Sequence, residues 1–158
     1  MLKRVLIIAG LLMGIMSFAE DGEDVKPKVI KGVVEKVTIK ALPEKLKYDV
    51  LEFTVKAGKK VTVHFINADY PPHNIVFVLP GKVKEVADAA VKLADKGFEL
   101  KFIPPSKKHL IFAHSDMLDY EGEEKMEFKA PEKPGVYEFF CSFPGHAMSM
   151  VGKMKVVK

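Results

Sequence analysis

The sequence contains one cysteine, Cys141, and therefore cannot form an intramolecular disulfide. A lone cysteine indicates an intermolecular bridge, a reactive thiol, a metal ligand or simply an inert buried side chain. Acidic and basic residues are nearly balanced, with 25 Lys and Arg against 21 Asp and Glu. This balance argues against nucleic acid as a partner. No internal repeat and no His-x-His pair is present.

An apolar run long enough to span a bilayer comfortably is also missing, although the N-terminus is hydrophobic. Lys3 and Arg4 precede an apolar stretch over residues 5–16, and small residues at 17 and 19 suit cleavage before Glu20. This pattern is typical of a secretory signal peptide. We predict an exported, periplasmic protein without stable membrane insertion; retention of the segment as an anchor is the alternative. Export also makes a purely stabilising role for the lone Cys141 less expected, because stabilising cysteines in oxidising compartments occur in pairs.

Short, alternating apolar segments dominate the remaining sequence and predict β-strands. Proline- and glycine-rich turns separate them. The segment 74–79 has apolar residues at both odd and even positions and is expected to be a strand buried on both faces, at the centre of the core. We predict that 51–55 and 61–65 pair as a hairpin. The predicted strands cover residues 29–40, 51–55, 61–65, 74–79, 98–103, 109–113, 125–129, 136–141 and 152–157.

One segment has helical rather than alternating periodicity. Apolar residues recur every three or four positions over residues 83–96, and Gly97 is placed to end a helix there. The sequence therefore predicts an all-β sandwich or barrel with one inserted helix. We assign residues 1–19 to the signal peptide, 20–28 to a flexible lead and 29–158 to a single domain.

The chemistry is concentrated in one loop near the C-terminus. Cys141, His146 and Met150 offer a thiolate, an imidazole and a thioether, and Pro144 and Gly145 can turn the chain between the first two. Soft sulfur ligands together with imidazole favour copper, and a His₂Cys set with a weak axial Met is the arrangement of blue-copper electron-transfer sites. This set needs a second histidine from elsewhere in the chain.

His73 is the best candidate for that second histidine. It follows a turn that contains two prolines and directly precedes the buried strand at 74–79. His64, His109 and His114 lie in or near predicted strands without another ligand at useful spacing, and we interpret them as surface or structural histidines. Met148 competes with Met150 for the axial position.

The ligand loop, Tyr137 through Met150, resembles that of azurin, and the segment from Asn67 to Phe77 is similar to the first-histidine segment of plastocyanins and auracyanins. All are cupredoxins, and this resemblance implies a Greek-key β-sandwich that binds one type 1 copper ion. His73, Cys141 and His146 would be equatorial ligands and Met150 the axial ligand. The resemblance also implies a weak contact from the backbone carbonyl of Pro72.

Two further roles follow from the same resemblance. Asn74 matches the family residue that links the two ligand loops near the cysteine sulfur, and such hydrogen bonds tune a metal site. The expected partners are redox proteins, such as a c-type cytochrome or a terminal oxidase, that dock on an apolar patch near His146. Pro71, Pro72, Pro144, Ala147 and Met148 are expected to form this patch.

Three functions remain open at the level of sequence. We favour an electron carrier that cycles one copper ion between Cu(I) and Cu(II) and has no substrate of its own. A periplasmic copper storage or delivery protein is the alternative, although the methionines outside residues 1–19 do not form a Met-rich tract. An oxidase or nitrite reductase is disfavoured because the expected His-x-His pairs are missing.

Overall fold

The computed structural model describes residues 25–158. The predicted signal peptide and residues 20–24 of the predicted lead lie outside the described residues. Within 25–158, no helix combines the length and hydrophobicity that a membrane crossing requires.

Two β-sheets enclose the core, which confirms the predicted β-sandwich with an inserted helix. The strands of residues 25–158 are β1 (Lys28–Val33), β2 (Lys36–Leu42), β3 (Lys47–Tyr48), β4 (Val50–Lys56), β5 (Lys60–Asn67), β6 (Val76–Val78), β7 (Ile111–His114), β8 (Glu123–Lys129), β9 (Gly135–Phe140) and β10 (Val151–Val157). One sheet has the strand order β1-β4-β10-β9-β6-β7 and the other β3-β2-β5-β8.

Alternating side chains from both sheets build the core. Val61, Val63 and Phe65 of β5 are fully buried, whereas the residues between them are partly exposed. Phe53 and Phe139 meet them from the six-stranded sheet and lie 5.8 Å apart, ring centroid to ring centroid. Successive side chains of a strand point to opposite faces, so every second residue of β5 lies on the inner face. The apolar alternation in this part of the sequence therefore identifies the buried side chains correctly.

The inserted helix α1 (Val83–Val91) covers part of the outer face of the larger sheet. Val86 and Ala90 of α1 are buried, and Val86 packs in a second cluster with Val76 and Phe140. The helix is shorter than the predicted 83–96. It ends at Val91, and a 3₁₀ turn follows at Ala94–Lys96, where Ala94 has a positive φ of 47° that a continuing α-helix cannot adopt.

The prediction of one continuous strand over 29–40 is wrong. β1 and β2 belong to different sheets, and Gly32 at φ 85° lies shortly before the break. Val29 and Val33 are 56% and 48% exposed, whereas Val37 and Ile39 are buried. Although these four residues all have odd numbers, only Val37 and Ile39 lie on a buried face.

The predicted hairpin of 51–55 with 61–65 is also wrong. The turn at 57–59 carries the chain from β4 in one sheet to β5 in the other, where β5 pairs with β2 and β8. The buried side chains of the two strands thus face each other across the core. Alternation identifies a strand but does not identify its partner.

The predicted strand at 98–103 is a compact turn instead. Lys101 and Phe102 have positive φ angles of 54° and 53°. The Phe102 ring packs against Gly97, where a Cβ would lie 2.1 Å from a ring carbon. Phe102 also contacts the ring of Phe143 in the ligand loop, with centroids 5.2 Å apart. Local backbone hydrogen bonds and aromatic packing against that loop, rather than strand pairing, stabilise this conformation.

The other predicted strands are confirmed with shifted bounds. β6 occupies the centre of 74–79, β8 contains 125–129, and β9 and β10 match the last two predictions. β7 begins at Ile111, because residues Pro105–Leu110 form a 3₁₀ helix that includes His109.

Candidate metal centre

Three potential ligand atoms from two distant segments converge in the interior. The Sγ atom of Cys141 lies 3.6 Å from Nδ1 of His73 and 3.6 Å from Nδ1 of His146. The two nitrogens are 3.2 Å apart. His73 and Cys141 are fully buried, and His146 is 9% exposed. Among residues 25–158 these three form the one cluster of His, Cys, Asp or Glu with metal-site spacing.

This triangle has the dimensions of a metal site. A point in its plane lies about 2.0 Å from all three atoms, which matches the lengths of metal–imidazole bonds and falls slightly below that of a zinc–thiolate bond. A thiolate with two imidazoles suits both zinc and copper, whereas a neighbouring thioether favours copper. The residues present therefore fit a type 1 copper ion.

Strand register explains why distant residues meet. Phe140 at the end of β9 pairs with Val76 of β6 on one side and with Val151 of β10 on the other. The residues just beyond this row, Cys141 and Met150, consequently lie at the same end of the sheet as the loop that precedes β6. His73 lies at the end of that loop, where its backbone N–H and carbonyl form reciprocal hydrogen bonds with the backbone carbonyl and N–H of Leu118.

A tight turn brings His146 back towards Cys141. The His146 backbone N–H donates to the carbonyl of Phe143 at 3.0 Å, and Gly145 adopts a φ of 86°. L-residues with a side chain rarely adopt this conformation, so glycine is favoured at this position. The Phe143 ring lies 4.7 Å from the His146 ring and supports it from one side.

The two methionines in the loop have different environments. Met150 is fully buried; its N–H donates to the carbonyl of His146 and its carbonyl accepts from the N–H of Cys141. Met148 is 92% exposed. Burial beside the cluster favours Met150 over Met148 as a ligand.

Asn74 connects the two ligand segments, as the resemblance implies. Its Oδ1 accepts the N–H of Ser142 at 2.9 Å, and its Nδ2 donates to the hydroxyl of Ser142 at 2.8 Å and to the carbonyl of Lys101 at 3.2 Å. The backbone N–H groups of Asn74 and Phe143 also donate to the Cys141 sulfur. These contacts hold the cysteine and His73 segments together.

Burial controls the protonation of the metal-free site. It raises the pKa of the Cys141 thiol to about 11, although the N–H groups of Asn74 and Phe143 oppose the shift. Burial and the neighbouring His73 lower the pKa of His146 to about 4. Burial also lowers the pKa of His73, outweighing the Asp69 carboxylate. At neutral pH both imidazoles are ready to bind a metal, and metal binding must displace the thiol proton.

The structure separates the other histidines from this cluster, in agreement with their interpretation from sequence. Nε2 of His64 lies 3.0 Å from a carboxylate oxygen of Glu123, and His114 contacts the carbonyl of Ser115. His109 is exposed.

A separate structural feature is Tyr137, whose hydroxyl donates to the carbonyl of Lys133 at 2.8 Å, the contact expected of a tyrosine corner.

Asp69 and Asn67, which were not predicted from sequence as functional residues, shape the loop that carries His73. An Asp69 carboxylate oxygen lies 3.1 Å from Nε2 of His73. The Asn67 side chain donates to the carbonyls of Pro71 and Leu118, both at 2.9 Å. The available signal was an aspartate four positions before the candidate histidine, within a polar turn.

The chain is similar in sequence to known copper-binding proteins. A model of copper-binding proteins of the plastocyanin/azurin family matches residues 35–157. Auracyanin-A from Chloroflexus aurantiacus is 33% identical over 114 residues, which cover 72% of this chain and 68% of that protein. Azurin iso-2 from Methylomonas sp. strain J is 31% identical, over 60% of this chain and 76% of that protein.

A solved structure shows the same fold. The crystal structure of dithionite-reduced auracyanin from Roseiflexus castenholzii superposes with a TM-score of 0.72 at 34% identity and covers 80% of this chain and 100% of that one. These similarities confirm the resemblance to cupredoxins of the azurin and auracyanin type.

Proposed function

This chain belongs to the plastocyanin/azurin family of copper-binding proteins, and we propose that it is an exported type 1 copper electron carrier. The buried triangle of one sulfur and two imidazole nitrogens supports this function. His73, Cys141 and His146 would hold the copper ion, with Met150 as a weaker thioether ligand. The backbone carbonyl of Pro72, which directly precedes His73, would be a further weak ligand.

A bound copper ion would supply a one-electron couple between Cu(I) and Cu(II). The ligand loops are anchored to three paired strands and joined by Asn74, contacts that would limit the movement of the ligand atoms between the two copper states. A preorganised set of ligands suits rapid electron transfer, since little has to rearrange. Burial of the donors also excludes water from the site.

Copper delivery is the alternative function, and the burial of the ligands disfavours it. A delivery protein must release its ion to a partner, whereas His73 and Cys141 are completely inaccessible. Challenge of the copper-loaded protein with a Cu(I) chelator, alongside voltammetry, separates the functions. An electron carrier retains copper and gives a reversible wave; rapid loss of copper to the chelator would favour delivery.

Titration of the purified protein with Cu(II) tests the site itself. We expect one copper per chain, intense thiolate-to-copper absorption in the visible region and a type 1 EPR signal. Cys141→Ser should abolish the absorption, and Met148→Leu, which changes an exposed residue of the same loop, should preserve it. Visible colour in the serine variant would contradict the assignment.

We propose that electrons enter and leave near His146. Met148 is exposed, and Ala147 and Pro144 of the same loop are partly exposed, which suits the small, weak interfaces of redox encounters. The proposed partner is a c-type cytochrome or a terminal oxidase. Met148→Glu should slow electron transfer to a c-type cytochrome without changing the visible spectrum; an unchanged rate would place the docking surface elsewhere.

Export rests on the pattern at residues 1–19. Expression of the whole chain in a bacterium should yield a periplasmic protein whose N-terminal residue is Glu20. Recovery of the protein in the cytoplasm with Met1 intact would contradict export, and recovery in the membrane fraction would favour the anchor.

A further inference from the structure

A buried carboxylate supports one side of the candidate copper site. The side chain of Asp69 is 4% exposed, and its Oδ2 lies 3.1 Å from Nε2 of His73. Its Oδ1 accepts the backbone N–H of Tyr70 at 2.9 Å and that of Glu44 at 3.0 Å. Oδ1 therefore binds backbone N–H groups, and Oδ2 faces His73.

The contact determines which nitrogen of His73 carries its proton. Oδ1 of Asp69 already accepts two backbone N–H groups, and such donors stabilise the ionised form of a carboxylate. An ionised carboxylate can only accept, so Nε2 of His73 must donate to it. The lone pair of the neutral ring is then on Nδ1, the atom that faces Cys141 and His146.

We propose, building on the copper function above, that Asp69 is a positioning residue that holds His73 in its Nδ1-donor tautomer and stabilises oxidised copper through its negative charge. Carboxylates that accept from a metal-bound histidine orient the ring and raise its basicity. A negative charge beside one ligand also favours the more positive Cu(II) state over Cu(I). The backbone donors of Glu44 and Tyr70 keep the carboxylate in place.

Asp69→Asn changes the hydrogen bonding at nearly constant size. Three donors face the side chain, but an amide has a single acceptor oxygen. If that oxygen remains with the backbone N–H groups of Glu44 and Tyr70, the amide NH₂ faces Nε2 of His73. This arrangement favours a proton on Nδ1, which competes with the metal. The matched control is Asp88→Asn, which neutralises an exposed carboxylate of α1 that pairs with Lys84.

Two measurements test the proposal. In the copper-free wild-type protein, imidazole ¹⁵N chemical shifts should place the His73 proton on Nε2, and in Asp69→Asn the proton should move to Nδ1. In the copper-loaded proteins, Asp69→Asn should weaken Cu(II) binding relative to Cu(I) about tenfold, which corresponds to a rise in reduction potential of about 59 mV. Asp88→Asn should keep the wild-type potential.

The two proposals can fail separately. A wild-type protein without a blue copper site would contradict the electron-carrier function. A His73 proton on Nδ1 in the copper-free wild type would overturn the role of Asp69, even if the asparagine variant fails to fold. Equal potentials for wild type and a folded Asp69→Asn would also overturn it.

Discussion

Acid should destabilise the copper-free protein through His146. This imidazole has a pKa of about 4 in the folded state, against 6.5 for an ordinary histidine. Between these values the unfolded chain binds a proton that the folded chain does not. The free energy of unfolding is therefore unaffected above pH 6.5 and falls as the pH drops towards 4.

The size of the effect follows from the shift. Each pKa unit corresponds to about 1.4 kcal/mol, so lowering the pH from 7 to 5 should remove at most about 2 kcal/mol through His146. His73 acts in the same direction, because burial also lowers its pKa. A loss of this size is a large fraction of the roughly 5–15 kcal/mol that stabilises a typical domain.

Urea denaturation of the copper-free protein at pH 7 and pH 5 measures this loss. His146→Gln should lose less stability between the two pH values than the wild type, because it lacks the titrating ring. His109→Gln changes an exposed histidine away from the cluster and should keep the full loss. If His146→Gln loses as much stability as the wild type, the buried neutral imidazole is not the cause of the acid sensitivity.

Three further predictions concern residues around the ligands. Asn74→Ala removes the hydrogen bonds to Ser142 and Lys101 and should lower the free energy of unfolding in urea by about 2–3 kcal/mol; a loss below 0.5 kcal/mol would mean that they add little. Gly145→Ala meets no atom within 4 Å but retains a φ of 86°, so a loss of about 1–2 kcal/mol is expected in the same assay. Met150→Leu should keep the visible absorption and raise the reduction potential, because an axial donor is lost; an unchanged potential in voltammetry would contradict its axial role.

Sequence patterns succeed where the physical cause is local. Val61, Val63 and Phe65 are buried as their alternation predicts, since strand geometry alone determines which side chains share a face. Val29 and Val33 also lie at odd-numbered positions of the predicted strand but are exposed, because no second layer from residues 25–158 covers their face of β1. Residues 98–103 alternate well enough to predict a strand, yet local hydrogen bonds and contacts with the distant ligand loop stabilise a turn instead.

The candidate site shows the same division between local and distant causes. Cys141, His146 and Met150 lie within ten positions, so their chemistry and the turn at Gly145 indicate a metal loop without knowledge of the fold. His73 is 68 positions before Cys141 and reaches it only through the pairing of β6 with β9. Its position between a proline-containing turn and a buried strand made it the best candidate from sequence, and the resemblance to cupredoxins supported that choice.

The role of Asp69 is harder to predict from sequence than that of His73. Its carboxylate contacts His73 only because the backbone of Glu44, 25 positions away, and that of Tyr70 both donate to its other oxygen. The spacing of four positions between Asp69 and His73 does not by itself predict this arrangement, since it depends on two loops from different parts of the chain. Ligand chemistry can therefore indicate which metal binds, whereas the balance between the oxidised and reduced metal depends on surrounding groups that only the folded structure identifies.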